Sequence, residues 1–131
     1  MTVSIRQNIS SGSTREPVLG YSRAVRVGNH VVVAGTTAGS STGAVGGDDA
    51  AAQAREIFSR IEKGLTDAGA TLQDVVRTRI YLTRIADFDA VGAVHGEIFQ
   101  KIRPVTSVVE VGALAAPDLV VEIEADAILL A

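Results

Sequence analysis

The sequence predicts an α+β domain in which two helices pack on one face of a mixed β-sheet. Two segments have apolar residues at the three- and four-residue spacing of amphipathic helices, and runs rich in valine and isoleucine flank each of them. The predicted order is β-β-α-β-α-β-β, with room for one further strand at the N-terminus. Because 131 residues is the length of one domain, residues 1–131 are expected to fold as a single unit.

Composition argues against several classes of function. The formal net charge is −3 and the basic residues are scattered, whereas a nucleic-acid surface needs a basic stripe. Cysteine is absent, which excludes disulfides and thiolate catalysis. No apolar run approaches the roughly 20 residues of a membrane span, and the first residues lack the apolar core of a signal peptide. We therefore expect a cytoplasmic protein that binds neither nucleic acid nor membrane.

The N-terminal half predicts a hairpin, a loop and a long helix. The segment GYSRAVRVGNHVVVAG predicts two strands joined at Gly28-Asn29, and TTAGSSTGAVGGDD has the composition of a flexible surface loop. The loop ends in Asp48-Asp49, which suits the start of a helix. Gly69 is the predicted end of that helix. Its apolar stripe is Ala50, Ala54, Ile57, Phe58, Ile61, Leu65 and Ala68.

The C-terminal half predicts a strand, a second helix and two more strands. In DVVRTRIYLT, alternation puts Val75, Arg77, Arg79 and Tyr81 on one face. The second helix is predicted from about residue 87 to 102, where Pro104 prevents its continuation. TSVVEVGAL and LVVEIEADAILL predict the last two strands, joined by a turn at AAPD.

The last strand carries three carboxylates on one face, Glu122, Glu124 and Asp126. Same-face neighbours lie roughly 6.5–7 Å apart, so these charges repel unless water, cations or a pocket receives them. Glu124 and Asp126 are expected to face water or to pair with arginines of a neighbouring strand. Glu122 is expected deepest, in a half-buried cleft beside Thr106 or Val108. Burial there raises a carboxyl pKa and suits it to proton exchange near neutral pH.

The sheet face away from the helices is predicted to be covered by another subunit. Two helices cover only one face, while the other is expected to hold Val108, Val120 and part of the first hairpin beside the carboxylates. A surface that is half apolar and half acidic is typical of an oligomer interface.

Metal and nucleophile motifs are absent from the sequence. His30 lies at the predicted hairpin, and His95 lies on the apolar stripe of the second helix, where a packing or hydrogen-bonding role is expected. Glu97 is two residues from His95, whereas metal ligands on a helix are spaced by three or four. No GxSxG motif is present, and the glycine-rich loop lacks the Lys-Ser/Thr of a P-loop. No metal and no cofactor are predicted.

The segment RPVTSVVEVGALAAPDLVVEIEADAI resembles the C-terminal signature of the reactive-intermediate deaminase family, the RidA or YjgF-type proteins. The resemblance extends over about Val18 to Ala127. It implies a chorismate-mutase-like mixed β-sheet with two helices packed on one face, and a homotrimer with a central β-barrel and clefts between subunits. It also implies hydrolysis of small enamine or imine metabolites to a 2-keto acid and ammonia, without metal or organic cofactor.

The resemblance assigns site residues, with two departures. Tyr21 and Glu122 stand at the cleft tyrosine and glutamate, which implies catalytic roles, and Gly35 stands at a glycine that lines the site. Thr106 stands where the family has an arginine that pairs with the substrate carboxylate, and Gly92 stands where it has an asparagine. A threonine cannot form the bidentate charged contact of an arginine.

Four residues are predicted to bind substrate. Thr106 and the backbone of Gly35 and Thr36 are expected to hold polar atoms of the substrate. Arg23 shares a strand face with Tyr21 by parity and is a candidate replacement for the missing cation. The pattern therefore predicts a subgroup that lacks the cleft arginine and is not a typical 2-aminoacrylate deaminase.

The expected function is a deaminase-type hydrolase that acts on a small imine-like or amide-like metabolite at clefts between subunits. The alternative is a non-catalytic trimer that binds a small ligand or a protein partner, which the loss of the arginine and the asparagine favours. Ribonuclease activity has also been attached to this family. The acidic balance and the absence of a His-Lys constellation argue against it here.

Overall fold

The computed structural model describes residues 5–130, and its centre is a six-stranded mixed sheet. The strands are β1 (Arg6–Ile9), β2 (Ala24–Val27), β3 (His30–Thr36), β4 (Val75–Leu82), β5 (Val105–Glu110) and β6 (Val121–Ile128). In order across the sheet they are β1-β2-β3-β6-β4-β5. Neighbours are antiparallel except β4 and β5, which are parallel. The mixed α+β architecture predicted from the sequence is confirmed, and β1 is the further N-terminal strand.

Two long helices pack on one face of this sheet. They are α2 (Ala50–Asp67) and α3 (Phe88–Phe99), and α3 supplies the crossover that joins the parallel strands β4 and β5. A one-turn helix, α1 (Arg15–Leu19), precedes β2 and was missed because five residues are too few to show a helical period. No helix among residues 5–130 is long and apolar enough to cross a membrane.

The boundaries of α2 follow from the residues at its ends. The side chain of Asp49 accepts a hydrogen bond from the Ala52 amide at 3.1 Å, which caps the N-terminus. At the other end Gly69 adopts a φ of +86°, and Arg26 donates to the Ala68 carbonyl oxygen at 2.8 Å. Both predicted ends of this helix are therefore confirmed.

The core lies between α2, α3 and the facing residues of β3, β4 and β6. The predicted stripe of α2 is buried, together with Gln53 and Gly64. Gln53 is fully buried, and its side-chain amide is satisfied by three backbone hydrogen bonds. It donates to the carbonyl oxygens of Gly47 and Asp118 and accepts from the N–H of Val120. These bonds anchor the glycine-rich loop against the turn before β6, so this part of the loop is packed rather than free.

The alternation of β6 is confirmed. Val121, Ile123, Ala125 and Ala127 are buried against the helices, and the residues between them face the other way. The alternation predicted for β4 was wrong at its first residue, because Val75 is only 3% exposed. Val75 pairs with Ala127 while Arg77 pairs with Asp126, so one extra residue is inserted between them and reverses the parity.

The open face of the sheet, opposite the helices, is part charged and part apolar as predicted, and part of the first hairpin lies on it as expected. The expectation for two other residues was wrong, because Val108 pairs with Ile80 and packs against the core and Val120 is only 5% exposed. The exposed valines of this face include Val32 of the hairpin, at 49%, and Val105 and Val109 of β5, at 59% and 46%. A shift of one residue in register moves every side chain of a strand to the other face. The covering subunit itself stays a prediction.

Candidate functional site

The predicted site residues fall into two groups at separate places on the sheet. The Glu122 cluster lies where β3 and β6 meet, and Thr106 lies on the edge strand β5. The Glu122 cluster consists of Tyr21, Arg23, Gly35, Thr36 and Glu122.

Glu122 is held on the open face next to an irregular part of β3. It lies opposite Tyr81 of β4 on one side, and on the other side the β3–β6 register shifts between Val33 and Thr36. Gly35 lies within that irregularity, directly over the carboxylate. A Cβ at Gly35 would collide with Oε2 of Glu122, so only glycine leaves room for the carboxylate in this position. Gly35 therefore makes space for the Glu122 carboxylate, and its predicted role in lining a substrate site stays a prediction.

The environment of Glu122 favours its protonated form. Burial of the half-buried carboxyl raises its pKa most, and the negative charge of Glu124 raises it further. The positive charge of Arg23 acts in the opposite direction but does not cancel them. The raised pKa predicted from the sequence is confirmed in direction, and it suits a group that exchanges protons near neutral pH.

The side chain of Arg23 is held by the same segment of β3 and lies near enough to Glu122 for its charge to act on the pKa of that carboxyl. Its Nη1 donates to the Gly35 carbonyl oxygen at 2.9 Å and to Thr36 Oγ1 at 2.8 Å. Its guanidinium carbon lies 5.7 Å from the centroid of the Tyr21 ring, within cation–π range. The predicted proximity of Arg23 and Tyr21 is confirmed, although both precede β2 and are not part of it.

Thr36 helps to hold Arg23 in place, and its hydroxyl is not free to bind a ligand. The residue is only 3% exposed, and Oγ1 donates to the Ala34 carbonyl oxygen at 2.8 Å while it accepts from Arg23. The Thr36 hydroxyl is therefore used in hydrogen bonds within the subunit. Substrate binding by the Thr36 backbone stays a prediction.

Thr106 lies apart from Glu122, so the expectation that these two side chains are neighbours was wrong. Thr106 pairs with Thr78 and faces the helices, whereas Glu122 pairs with Tyr81, which in turn pairs with Val109. Strand β4 separates the two residues, and their parities are opposite. Within one subunit they cannot contact the same small molecule.

His95 and Thr78 hold the Thr106 hydroxyl. Thr78 Oγ1 lies 2.8 Å from His95 Nε2 and 2.8 Å from Thr106 Oγ1, and Thr106 Oγ1 lies 3.3 Å from the same nitrogen. The His95 ring packs against Phe58 and Phe99, with centroids 5.9 and 4.6 Å away. Burial lowers its pKa and favours the neutral imidazole. The packing and hydrogen-bonding role predicted for His95 is confirmed.

The other two carboxylates of β6 pair with arginines of β4, as the simpler sequence interpretation held. Glu124 accepts from Arg79 at 3.1 Å and from the Tyr81 hydroxyl at 2.8 Å, and Asp126 lies 3.8 Å from Arg77. The hydrogen bond to Glu124 raises the pKa of Tyr81. These pairs stabilise an otherwise repulsive row of charges.

A depression on the open face adjoins Tyr21 and involves residues that the sequence did not single out. Its volume is about 490 Å³, and Arg6 of β1, Asn8 and Val25 line it together with Tyr21. Glu122 does not line it. The β1–β2 register, which opposes Arg6 to Val27 and Asn8 to Val25, brings these residues to Tyr21, and no local sequence signal indicates that pairing. Between residues 5 and 130, no three histidine or carboxylate side chains converge as metal ligands.

Comparison with known proteins extends the resemblance to nearly the whole chain. The family model described as Endoribonuclease L-PSP matches residues 12–129. A relative from Acinetobacter baylyi named 3-aminoacrylate deaminase RutC is 36% identical over 111 residues, which are 84% of this chain and 87% of that protein. An uncharacterized protein from Streptomyces coelicolor is 35% identical over 127 residues, 97% of this chain and 95% of its own length.

A solved structure agrees with this assignment in three dimensions. The crystal structure of Rv2704 from Mycobacterium tuberculosis, described as a member of the highly conserved YjgF/YER057c/UK114 family, is 61% identical to this chain. It superposes with a TM-score of 0.88 and covers 95% of this chain and 100% of its own. The chain therefore belongs to the Endoribonuclease L-PSP family, the YjgF/RidA/RutC proteins.

Proposed function

We propose that the protein is a deaminase-type hydrolase of a small enamine- or imine-like metabolite. The observation that carries the proposal is Glu122, a half-buried carboxyl with a raised pKa beneath Gly35 and beside Arg23. A relative named 3-aminoacrylate deaminase supports the same reaction class. The net reaction converts the imine and one water into a ketone and ammonia.

In the proposed mechanism Glu122 transfers two protons, one after the other, from the attacking water to the imine nitrogen. As carboxylate it accepts a proton from the water, whose oxygen forms a bond to the imine carbon, and it returns this proton to the nitrogen to give a neutral carbinolamine. It then accepts the hydroxyl proton of the carbinolamine as the C=O bond forms, and it passes this proton to the nitrogen, which leaves as ammonia when the C–N bond breaks. A raised pKa suits these steps, because it makes the carboxylate a stronger proton acceptor than an ordinary glutamate.

Tyr21 and Arg23 are proposed to position the substrate over this carboxyl. Arg23 is held through Nη1, and its other N–H groups are proposed to bind the polar end of the substrate. The Tyr21 ring, stacked against Arg23, is proposed to orient substrate or water through its hydroxyl. The backbone of Gly35 and Thr36 is proposed to bind further polar atoms of the substrate.

Thr106 is the reason that we propose a substrate other than 2-aminoacrylate. Its neutral hydroxyl provides a single hydrogen bond worth ~1 kcal/mol, whereas a charged contact contributes roughly 1.5–3 kcal/mol. With this residue in place of the arginine, the proposed subgroup binds a carboxylate weakly at this position.

A homotrimer with clefts between subunits is part of the proposal. Glu122 and Thr106 face opposite sides of the sheet, so a cleft built by two copies is what would bring them to one substrate. The exposed valines and charged residues of the open face supply an apolar and ionic surface for that contact.

The second candidate is a non-catalytic trimer that binds a small ligand or a protein partner, and Thr106 and Gly92 are the observations that favour it. Endoribonuclease activity, which the family description names, is not favoured, because the chain has a net charge of −3.

The test is an assay of imine hydrolysis with enamines generated in situ, 2-aminoacrylate and its amide. Wild type is compared with Glu122→Gln and with Glu62→Gln, which makes the same chemical change at an exposed position of α2. We expect Glu122→Gln to lose roughly 10²- to 10⁴-fold in rate and the control to keep wild-type activity. Thr106→Arg is expected to gain activity on 2-aminoacrylate.

Two outcomes would count against the proposal. A Glu122→Gln variant as active as wild type would refute the mechanism. A wild-type protein inactive on both substrates, with its trimer intact by light scattering, would favour the binding role.

A further inference from the structure

A compact hydrogen-bonded cluster lies on the helix side of the sheet, at the edge formed by β5. It consists of Thr78, His95 and Thr106 and is called here the hydroxyl–imidazole cluster. Thr78 is fully buried and contacts both partners at 2.8 Å, while Thr106 is exposed and lies 3.3 Å from His95 Nε2. The cluster is therefore buried at Thr78 and accessible at the hydroxyl of Thr106.

Every member of the hydroxyl–imidazole cluster is uncharged. Two are hydroxyls, and burial against Phe58 and Phe99 favours the neutral imidazole of His95. None of the hydrogen bonds that join Thr78, His95 and Thr106 to the rest of residues 5–130 involves a charged side chain. The cluster itself offers an anion on Thr106 only dipoles, and no charge of its own to compensate the lost hydration of the anion.

The hydrogen-bonding capacity of the cluster is adaptable. Each hydroxyl has one donor and two acceptor positions, and neutral imidazole Nε2 is either donor or acceptor according to its tautomer. When Nε2 accepts from Thr78, that oxygen is free to accept from Thr106. When Nε2 donates to Thr78, the Thr78 hydrogen points to Thr106 instead. Thr106 can therefore present either its O–H or a lone pair outward.

The surface beside the cluster is bare. Gly92 lies one helical turn before His95 on α3, and a Cβ at Gly92 would meet nothing within 4 Å. Thr106 itself is exposed, and the α3 surface at Gly92 carries no side chain.

We propose that the hydroxyl–imidazole cluster binds an uncharged primary carboxamide of the substrate, at the position where a carboxylate-binding cation is missing. A carboxamide offers one acceptor and two donors, which matches a hydroxyl that both donates and accepts. A carboxylate offers acceptors only and carries a charge that the cluster does not neutralise. The inference rests on the proposed function, because it assigns the substrate class of that reaction.

The reaction then takes the amide of an enamine acid to a 2-keto amide. The enamine CH₂=C(NH₂)–CONH₂ tautomerises to its imine, and water replaces the imine nitrogen to give pyruvamide and ammonia. The carboxamide itself is unchanged. Its role is recognition, and Thr78 and His95 act as positioning residues behind Thr106.

Pyruvamide and pyruvate are a matched pair of probes for this inference, because they differ in the charge of the group that the cluster would bind. Histidine imidazoles labelled with ¹⁵N report on the site directly, since the chain has two histidines. His30 lies at the far end of β3 and serves as an internal control. We expect pyruvamide to shift the His95 signals but not those of His30, and to bind roughly tenfold more tightly than pyruvate.

Variants at Thr106 separate recognition from folding. Thr106→Val removes the hydroxyl with little change in shape and is expected to lose roughly tenfold in pyruvamide affinity. Thr106→Ser restores a hydroxyl and is expected to rescue it, and Thr106→Arg is expected to reverse the preference toward pyruvate. Equal or tighter binding of pyruvate by wild type, or unchanged pyruvamide affinity in Thr106→Val, would overturn the inference.

The same experiments distinguish this inference from the proposed function. Glu62→Gln is expected to bind pyruvamide as wild type does, because Glu62 is exposed on α2 and lies outside both the hydroxyl–imidazole cluster and the Glu122 cluster. Hydrolysis that depends on Glu122 together with a preference for pyruvate would refute the carboxamide inference alone. A preference for pyruvamide in a protein that hydrolyses neither enamine would refute the proposed function alone.

Discussion

The contact between Gly35 and Glu122 yields the sharpest test of the site geometry. A Cβ at residue 35 collides with the carboxylate oxygen and lies 3.1 Å from the Cδ of Glu122, so Gly35→Ala must push the whole carboxyl group aside. The backbone itself accepts alanine, because Gly35 is not among the residues with positive φ. Any effect of the substitution therefore reports on the Glu122 side chain.

The magnitude follows from two opposing contributions. Alanine in a strand is favoured over glycine by ~0.5–1 kcal/mol, and overpacking costs typically 1–3 kcal/mol. The displaced group is the end of a flexible side chain, so we expect a net loss of ~1 kcal/mol in the free energy of unfolding. For 131 residues that is roughly 4 °C in Tm. Catalysis is expected to fall by roughly 100-fold, because a shift of ~1 Å misplaces the carboxyl.

A double-mutant cycle isolates the contact. In a Glu122→Ala background the collision is gone, and Gly35→Ala should stabilise the protein by ~0.5–1 kcal/mol. In a Glu122→Gln background the collision remains without the charge, and Gly35→Ala should still be destabilising. The free energies are measured by urea unfolding at one fixed protein concentration. Equal effects of Gly35→Ala in all three backgrounds would refute the geometry described for this site.

Three further predictions concern stability. Glu122→Gln should be more stable than wild type at pH 8 but equal to it below pH 4.5. The reason is that the raised pKa of Glu122 makes the folded wild-type protein lose stability as pH rises through that pKa. The same difference in unfolding free energy between variant and wild type at both pH values, measured by urea unfolding, would contradict this. Thr78→Val should lose ~1–3 kcal/mol in the free energy of unfolding, because it breaks two hydrogen bonds in a fully buried position and leaves His95 with a weaker partner. Thr78→Ser should keep those bonds. If the ¹⁵N signals of His95 showed the same loss of hydrogen bonding in both variants, the prediction would be wrong. Arg103→Gly should be more stable than Arg103→Ala by ~0.5–1 kcal/mol in the free energy of unfolding, because Arg103 has a φ of +55°, which favours glycine. Equal stability of the two variants in thermal unfolding would show that this backbone position is not strained.

The fold and the chemistry of the last strand were accessible from the sequence because they depend on local periodicity. The stripe of α2, its two ends and the alternation of β6 all follow from spacings of three to four or of two residues. The pairing of Glu124 and Asp126 with arginines was also accessible, since β4 is the one strand that carries arginines between two helices. To predict these features, the only strand pairing that has to be known is that of β4 with β6.

By itself, the sequence determined the α+β class, the two helices on one face and the row of three carboxylates on the last strand. Only the tertiary structure decided which side chains meet. The inserted residue near Val75 reversed the parity of β4, and the β4–β5 register placed Thr106 with His95 and not with Glu122. The irregularity of β3 placed Gly35 over the Glu122 carboxylate. Register and bulges arise from packing across the whole sheet, and a shift of one residue exchanges its two faces, so local periodicity cannot specify these contacts.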